Sequence, residues 1–227
     1  MSRKYLLFCF LLILPSLLSA QEVLRGQVSV ELEPVVGGYM DVRYPLDTEG
    51  AHRRALEEAA YYFSAQIYGW SFYYDIGERA RGIAEEFELS PLGEIRWGDT
   101  SLEPTHAHLE NSSLFVWMDY RPREYQQRRL EMWRMGNIRT AQAIGYGPWT
   151  SAFEVSDWFD IKKAAVEDAA RAAVRAMLQA QERNRPKEAR GLISLESFPS
   201  YHIDAGRWAA QARFRVLIEE IVPFAAH

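Results

Sequence analysis

Apolar and polar positions alternate first at Val28, Val30 and Leu32 against Ser29 and Glu31, a short strand that ends near Pro34 and the Gly37-Gly38 turn. Extended chain follows over Tyr39 to Tyr44. The period then changes. Asp47 or Thr48 caps a helix over Ala51 to Tyr68, with Leu56, Ala60, Phe63 and Ile67 on one face and Gly69 as its stop. Aromatic and β-branched residues predict strands at Trp70 to Ile76, Phe87 to Leu89, Gly93 to Trp97 and Leu114 to Tyr120. A short charged helix is expected over Arg123 to Arg134, and Gly136 to Thr150 reads as a connection. A second helix over Ile161 to Arg183 carries a stripe of alanines suited to close contact with a sheet, and Pro186 stops it. A strand from Gly191 to Phe198 and a longer one from Ala209 to Ile221 then pair through a connection at Tyr201 to Arg207.

Side by side, the halves follow one plan of helix, glycine-led strand, loop and longer strand. Gly93 to Ile95 matches Gly191 to Ile193, and Leu114 to Tyr120 matches Phe214 to Glu220. The expected fold class is therefore α+β: two tandem helix-strand-strand units, each a helix packed on antiparallel strands. The boundaries are residues 1–20 for a leader, 21–135 for the first unit with its N-terminal strand, 136–157 for a linker and 158–227 for the second unit.

The leader rests on Arg3 and Lys4 ahead of the apolar run Tyr5 to Leu14, followed by Pro15 and the small residues Ser16, Ser19 and Ala20. This pattern predicts a cleaved secretory signal peptide, and the run is short for a spanning helix. Composition then matters in one way. The chain of 227 residues has a net charge of −5, 48% hydrophobic residues and one cysteine, Cys9, which lies inside the leader. Cleavage would leave no thiol for disulfides, catalysis, metal ligation or lipid attachment. The expectation is a periplasmic protein without a stable membrane anchor. The acidic balance argues against nucleic acid as a partner.

Candidate chemistry is sparse. His106 and His108 lie two apart beside Glu103 and Glu110, a spacing that puts both imidazoles on one side of an extended chain. Pro104 makes this stretch read as a hairpin connection, no third histidine is near, and no metal site is assigned. Glu85-Glu86 and Glu219-Glu220 are adjacent and so point to opposite faces of a strand. There is no Gly-x-Ser-x-Gly elbow and no glycine-rich phosphate loop, so no catalytic residue and no cofactor is expected. The basic run Arg121, Arg123, Arg128, Arg129 and Arg134 reads as a helix face paired with Glu124 and Glu131, or as a contact for an acidic partner.

Eight aromatic residues fall between Tyr61 and Tyr74, and on a helix followed by a strand they cannot all face one core. Core and sheet packing is the first explanation of the cluster. A surface for a partner, or for stacking on a sugar ring, is the second, with Tyr62, Trp70, Tyr73 and Trp117 as its candidate binding residues.

The segment Arg54, Ala55, Leu56, Ala59, Ala60, Ala65 to Gly69 resembles the helix and Ile-x-Gly turn of the Lpp-twenty lipoprotein family. Ala164 to Arg171 resembles the related amino-terminal domain of flagellar assembly protein T. The resemblance covers residues 48–120 and 158–221, and the family's lipid-bearing cysteine is missing. It implies a non-catalytic envelope protein acting in structure or assembly, sometimes around the flagellar motor, with envelope or flagellar proteins or further copies of itself as partners. The alternatives are a glycan- or peptide-binding module that uses the aromatic cluster and a metal-dependent hydrolase built on His106 and His108.

Overall fold

The computed structural model describes residues 22–33, 46–77, 82–149, 158–181 and 186–223. The expected leader, the extended piece at Tyr39 to Tyr44 and residues 150–157 of the expected linker lie outside the described residues. The chain is α+β. Its elements run β1 (Leu24–Glu31), α1 (Thr48–Ile67), β2 (Trp70–Asp75), β3 (Glu86–Pro91), β4 (Leu102–Glu110), β5 (Ser113–Tyr120), α2 (Glu124–Met132), β6 (Arg139–Tyr146), α3 (Trp158–Gln181), β7 (Pro186–Leu195), β8 (Ser200–Asp204) and β9 (Arg207–Pro223).

All strand pairs are antiparallel and form two sheets. The smaller has the order β1-β5-β4. The larger has the order β3-β2-β7-β9-β6, with β8 paired to β9. Helix α1 lies between them, touching β1 and β5 on one side and β7 on the other. One continuous core results, in which Phe63, Tyr120, Ile193 and Phe214 are fully buried.

Local chemistry explains the ends of α1. The Asp47 carboxylate accepts from the Gly50 N–H at 2.7 Å, which satisfies a donor left open in the first turn. Gly69 ends the helix at φ +68°, and a Cβ there would lie 2.4 Å from the Ile193 carbonyl oxygen. The chain can turn directly into β2 only because this residue is glycine.

Three expectations are corrected. Residues 93–97 form no strand: the Ile95 N–H donates to Ser64 Oγ at 2.8 Å and the Leu92 N–H to the Gly69 carbonyl at 3.0 Å. Those bonds tie the segment across α1. The stretch around His106 and His108 is a strand, β4, and not a connection. Pro104 is accommodated because β4 is an edge strand whose register shifts between Pro104 and His106. The connection 136–150 contains strand β6, whose face toward α3 carries only the small residues Ala141, Ala143 and Gly145, which pack under the alanines of that helix.

The strands of both halves enter one sheet, since β2 of the first pairs with β7 of the second from Trp70 opposite Ile193 to Asp75 opposite Glu188. The basic run is engaged residue by residue. Arg121 pairs with Glu103 at 2.7 Å, Arg123 with Asp99 at 3.1 Å, Arg128 with Glu124 at 3.3 Å and Arg134 with Glu22, while Arg129 lies over the Tyr68 ring. Among the described residues no helix is long and apolar enough to cross a membrane.

Candidate functional site

Two polar features stand out from the core: a buried charge centre and an aromatic cleft. The centre is built on α3, where Lys162 falls on the apolar stripe with Val166, Ala169 and Ala173. Its ammonium donates to the Ser29 carbonyl at 2.7 Å and lies 3.0 Å from Glu31 and 3.4 Å from Glu58, so three oxygens meet three N–H groups. The Tyr201 and Trp208 rings face the same ammonium at 5.4 and 5.1 Å. Tyr201 in turn shares a 2.7 Å hydroxyl–hydroxyl hydrogen bond with Tyr62.

Burial pushes the Glu58 carboxyl up to about 7. The Lys162 charge opposes this, and Glu31, competing for the same ammonium, adds to it. Burial also works against the Lys162 charge, yet the two carboxylates outweigh it and hold the ammonium above its ordinary value. The Glu58 shift is thus set first by burial, and the Lys162 shift by two acids sharing one base. Such a lysine stays charged and has no lone pair to offer, so the centre reads as a joint that ties β1 and α1 to α3 and the β8–β9 hairpin. A pocket of about 240 Å³ borders it between Ser29, Glu58, Tyr62 and Tyr201.

The raised acid gives a pH dependence with a definite sign. Glu58 binds its proton more tightly folded than unfolded, so its stabilising contribution is complete below the ordinary carboxylate range and is lost as pH rises through about 7. Relative to Glu58→Gln, the wild-type protein is expected to lose stability between about pH 5 and about pH 8 in urea titrations. Parallel curves for the two proteins would refute the assignment.

The cleft, of about 390 Å³, opens where α1, the start of α3, β2 and the tied segment 93–97 meet. Its rings come from three elements. Tyr61 on α1 lies 6.0 Å from Trp70 on β2 and, edge-on at 88°, 5.6 Å from Phe159 on α3. The Tyr61 hydroxyl is buried without a hydrogen-bond partner among the described residues, and burial raises its pKa. Lys163 sits 4.1 Å from the Phe159 centroid. Trp97, 62% exposed, stands at the rim and with Glu94 also lines an adjoining polar pocket of about 430 Å³. In that pocket Gln126 donates to the Tyr68 and Tyr120 hydroxyls, both at 2.8 Å.

The four candidate binding residues do not share a surface. Trp70 lines the cleft. Tyr62 is in the core beside the charge centre, Tyr73 lies under Arg190 on the opposite face of the large sheet, and Trp117 is on the outer face of the small one. Most of the aromatic run, including Phe63, Phe72 and Tyr74, is core. The sequence reading missed Trp97, Phe159, Lys163 and Glu167 in the cleft, which come from segments far apart in the chain. It also missed Lys162 and Glu58, although each is a charge on an otherwise apolar helical stripe, which is a readable signal. His106 and His108 share one face of β4 with ring centroids 5.6 Å apart, and His108 stacks on Phe115. Among the described residues no group of three or more His, Cys, Asp or Glu is placed to hold a metal ion.

Comparison with known proteins adds kinship. A protein of Treponema pallidum (strain Nichols), described as an uncharacterized protein, is 23% identical over 171 residues, which span 75% of this chain and 69% of its own length. No solved structure matches. A protein-family model matches residues 13–224, nearly the entire chain, and the chain belongs to the family which that model defines.

Proposed function

We propose that this protein is a non-catalytic component of the bacterial envelope, exported through the leader at residues 1–20, which assembles with a partner by capturing a peptide segment in the aromatic cleft. The observation that carries the reading is the cleft itself: rings from α1, β2 and α3 converge under an exposed Trp97. Aromatic side chains provide large contact area at low entropic cost, which is why they dominate peptide and protein recognition. Strand β4 supports an assembly role. It is exposed on both faces over nearly its whole length and, among the described residues, leaves one edge unpaired, the kind of edge that another chain can extend.

The tandem relation between the halves belongs to the same proposal, with β2 and β3 taking the places first given to residues 93–97 and 114–120. The order β3-β2-β7-β9 supports it, since exchanging helix-strand-strand runs α1-β2-β3 and α3-β7-β9 maps these four strands onto one another, with β6 and β8 as additions beside β9. The Lpp-twenty-like resemblance supports an envelope setting, in which the partner is an envelope or flagellar protein.

Titration with panels of blocked peptides and of oligosaccharides, read by tryptophan fluorescence and calorimetry, tests the function. Peptides are expected to bind, and Trp97→Ala to weaken them by about ten-fold or more, a loss of about 1.4 kcal/mol. Binding of oligosaccharides alone would replace peptide capture with sugar stacking, and silence across both panels would overturn the reading.

A further inference from the structure

We propose that a zinc ion bridges two copies of this chain across the edge of β4 that is unpaired among the described residues, held by His106 and His108 of each copy; the inference is independent of the aromatic cleft and adds a metal site with a second copy as partner. Both histidines are exposed on the outer face of the small sheet, His106 opposite Trp117 and His108 opposite Phe115. Their ring centroids lie 5.6 Å apart, and His108 is stacked on Phe115 at 5.2 Å and 14°. Two imidazoles on one tetrahedral zinc, with Zn–N bonds of about 2.0–2.1 Å, place their ring centres about 5 Å apart, so a small rotation of either ring converges the pair. One copy goes no further. Glu110 lies 4.0 Å from His108 Nε2, and among the described residues no group of three His, Cys, Asp or Glu side chains forms a site.

A second copy supplies the missing ligands. Strand edges usually resist pairing through lysines, prolines or acids along their length. In β4 these are confined to the ends, Glu103 and Pro104 at one and Glu110 at the other, and the exposed stretch Thr105 to Leu109 has no acid, lysine or arginine. Antiparallel pairing of two such strands about Ala107 sets His106 of each copy opposite His108 of the other, and opposite residues share a face with Cβ atoms about 4.5–5.5 Å apart. Four imidazoles then meet on one face, while on the other the second strand covers part of Leu109, which is 62% exposed. Glu110 of one copy comes beside the Glu103–Arg121 pair of the other, whose arginine offsets the acid. Slipping the register by one residue would put the two histidine pairs on opposite faces, and centring it on His106 or His108 would leave one pair of imidazoles directly opposed. A zinc closed by four imidazoles keeps no open position for water, so the bridge is structural and not hydrolytic.

Sedimentation velocity of the full-length protein in zinc chloride, magnesium chloride or EDTA tests the inference, with bound zinc measured by equilibrium dialysis. Zinc is expected to double the sedimenting mass and to bind at about one ion per two chains, and magnesium and EDTA to leave the mass unchanged. His106→Ala and His108→Ala should each abolish the doubling. Ala107→Lys and Ala107→Glu change an exposed residue that would face its own copy across the two-fold axis, so each alone should stay monomeric in zinc through like-charge repulsion. An equal mixture of the two should dimerise again. A wild-type protein that stays monomeric in zinc, a dimer indifferent to EDTA, or a zinc-dependent dimer of Ala107→Lys alone would overturn the bridge. Peptide binding at Trp97 stands or falls separately from all of these results.

Discussion

Lys162→Met is expected to lower the unfolding free energy by about 3–5 kcal/mol, because it leaves Glu31 and Glu58 facing each other without the ammonium that pairs with both. Methionine fills nearly the same volume, so the loss reports the charge and not a cavity. The cost should be smaller at low pH, where a protonated Glu58 needs no cation, and larger above neutrality. Adding Glu58→Leu to Lys162→Met should restore part of the stability by removing one of the two stranded acids. Urea unfolding of the wild type and both variants measures this. A single variant within about 1 kcal/mol of wild type would show that the centre is not the joint described here.

Gly145→Ala is expected to cost about 3 kcal/mol, at the upper end for an overpacked core site. A Cβ on Gly145 would lie 1.9 Å from the Ala169 backbone nitrogen and 2.4 Å from the Ala165 carbonyl oxygen. Both are helix backbone, so no side chain can rotate away, and α3 would have to lift from β6. The separation also sets a hydrogen bond, since the Asp168 carboxylate accepts from the Tyr146 N–H at 2.8 Å. Gly136→Ala is the control, because nothing lies within 4 Å of its Cβ position. Thermal unfolding should show a clear drop for the first variant and little change for the second. Equal midpoints would mean that the helix and sheet are not in backbone contact.

These residues also mark the limit of what the linear pattern carries. The α1 helix was legible from Asp47 to Gly69 because capping and the left-handed stop are local, decided by side chains within a few residues of the backbone they satisfy. Strand β5 was legible because alternation is also local. Strand β6 was not, since Ala143 and Gly145 owe their small size to a helix more than twenty residues away. The segment 93–97 looked extended by residue type, yet the Ile95 N–H is taken by Ser64 and that of Leu92, just before it, by the Gly69 carbonyl.

The aromatic run from Tyr61 to Tyr74 drew attention as one cluster, and tertiary packing divided it. Alternation on β2 turns Phe72 and Tyr74 into the core and Tyr73 to the other face, while Tyr61 and Trp70 are left at the cleft. The remaining cleft groups arrive from residues 94–97 and from the first turns of α3. Sequence alone determined the α+β class, the capped first helix and the alanine face of the third, because each depends on local capping or on periods of two or 3.6 residues. Tertiary structure decided that strands of both halves share one sheet, that Lys162 meets Glu31 and Glu58, and that Trp97 closes a cleft over Tyr61 and Phe159. Those outcomes depend on contacts between residues tens to more than a hundred positions apart, whose energies come from burial and paired charge and leave no period along the chain.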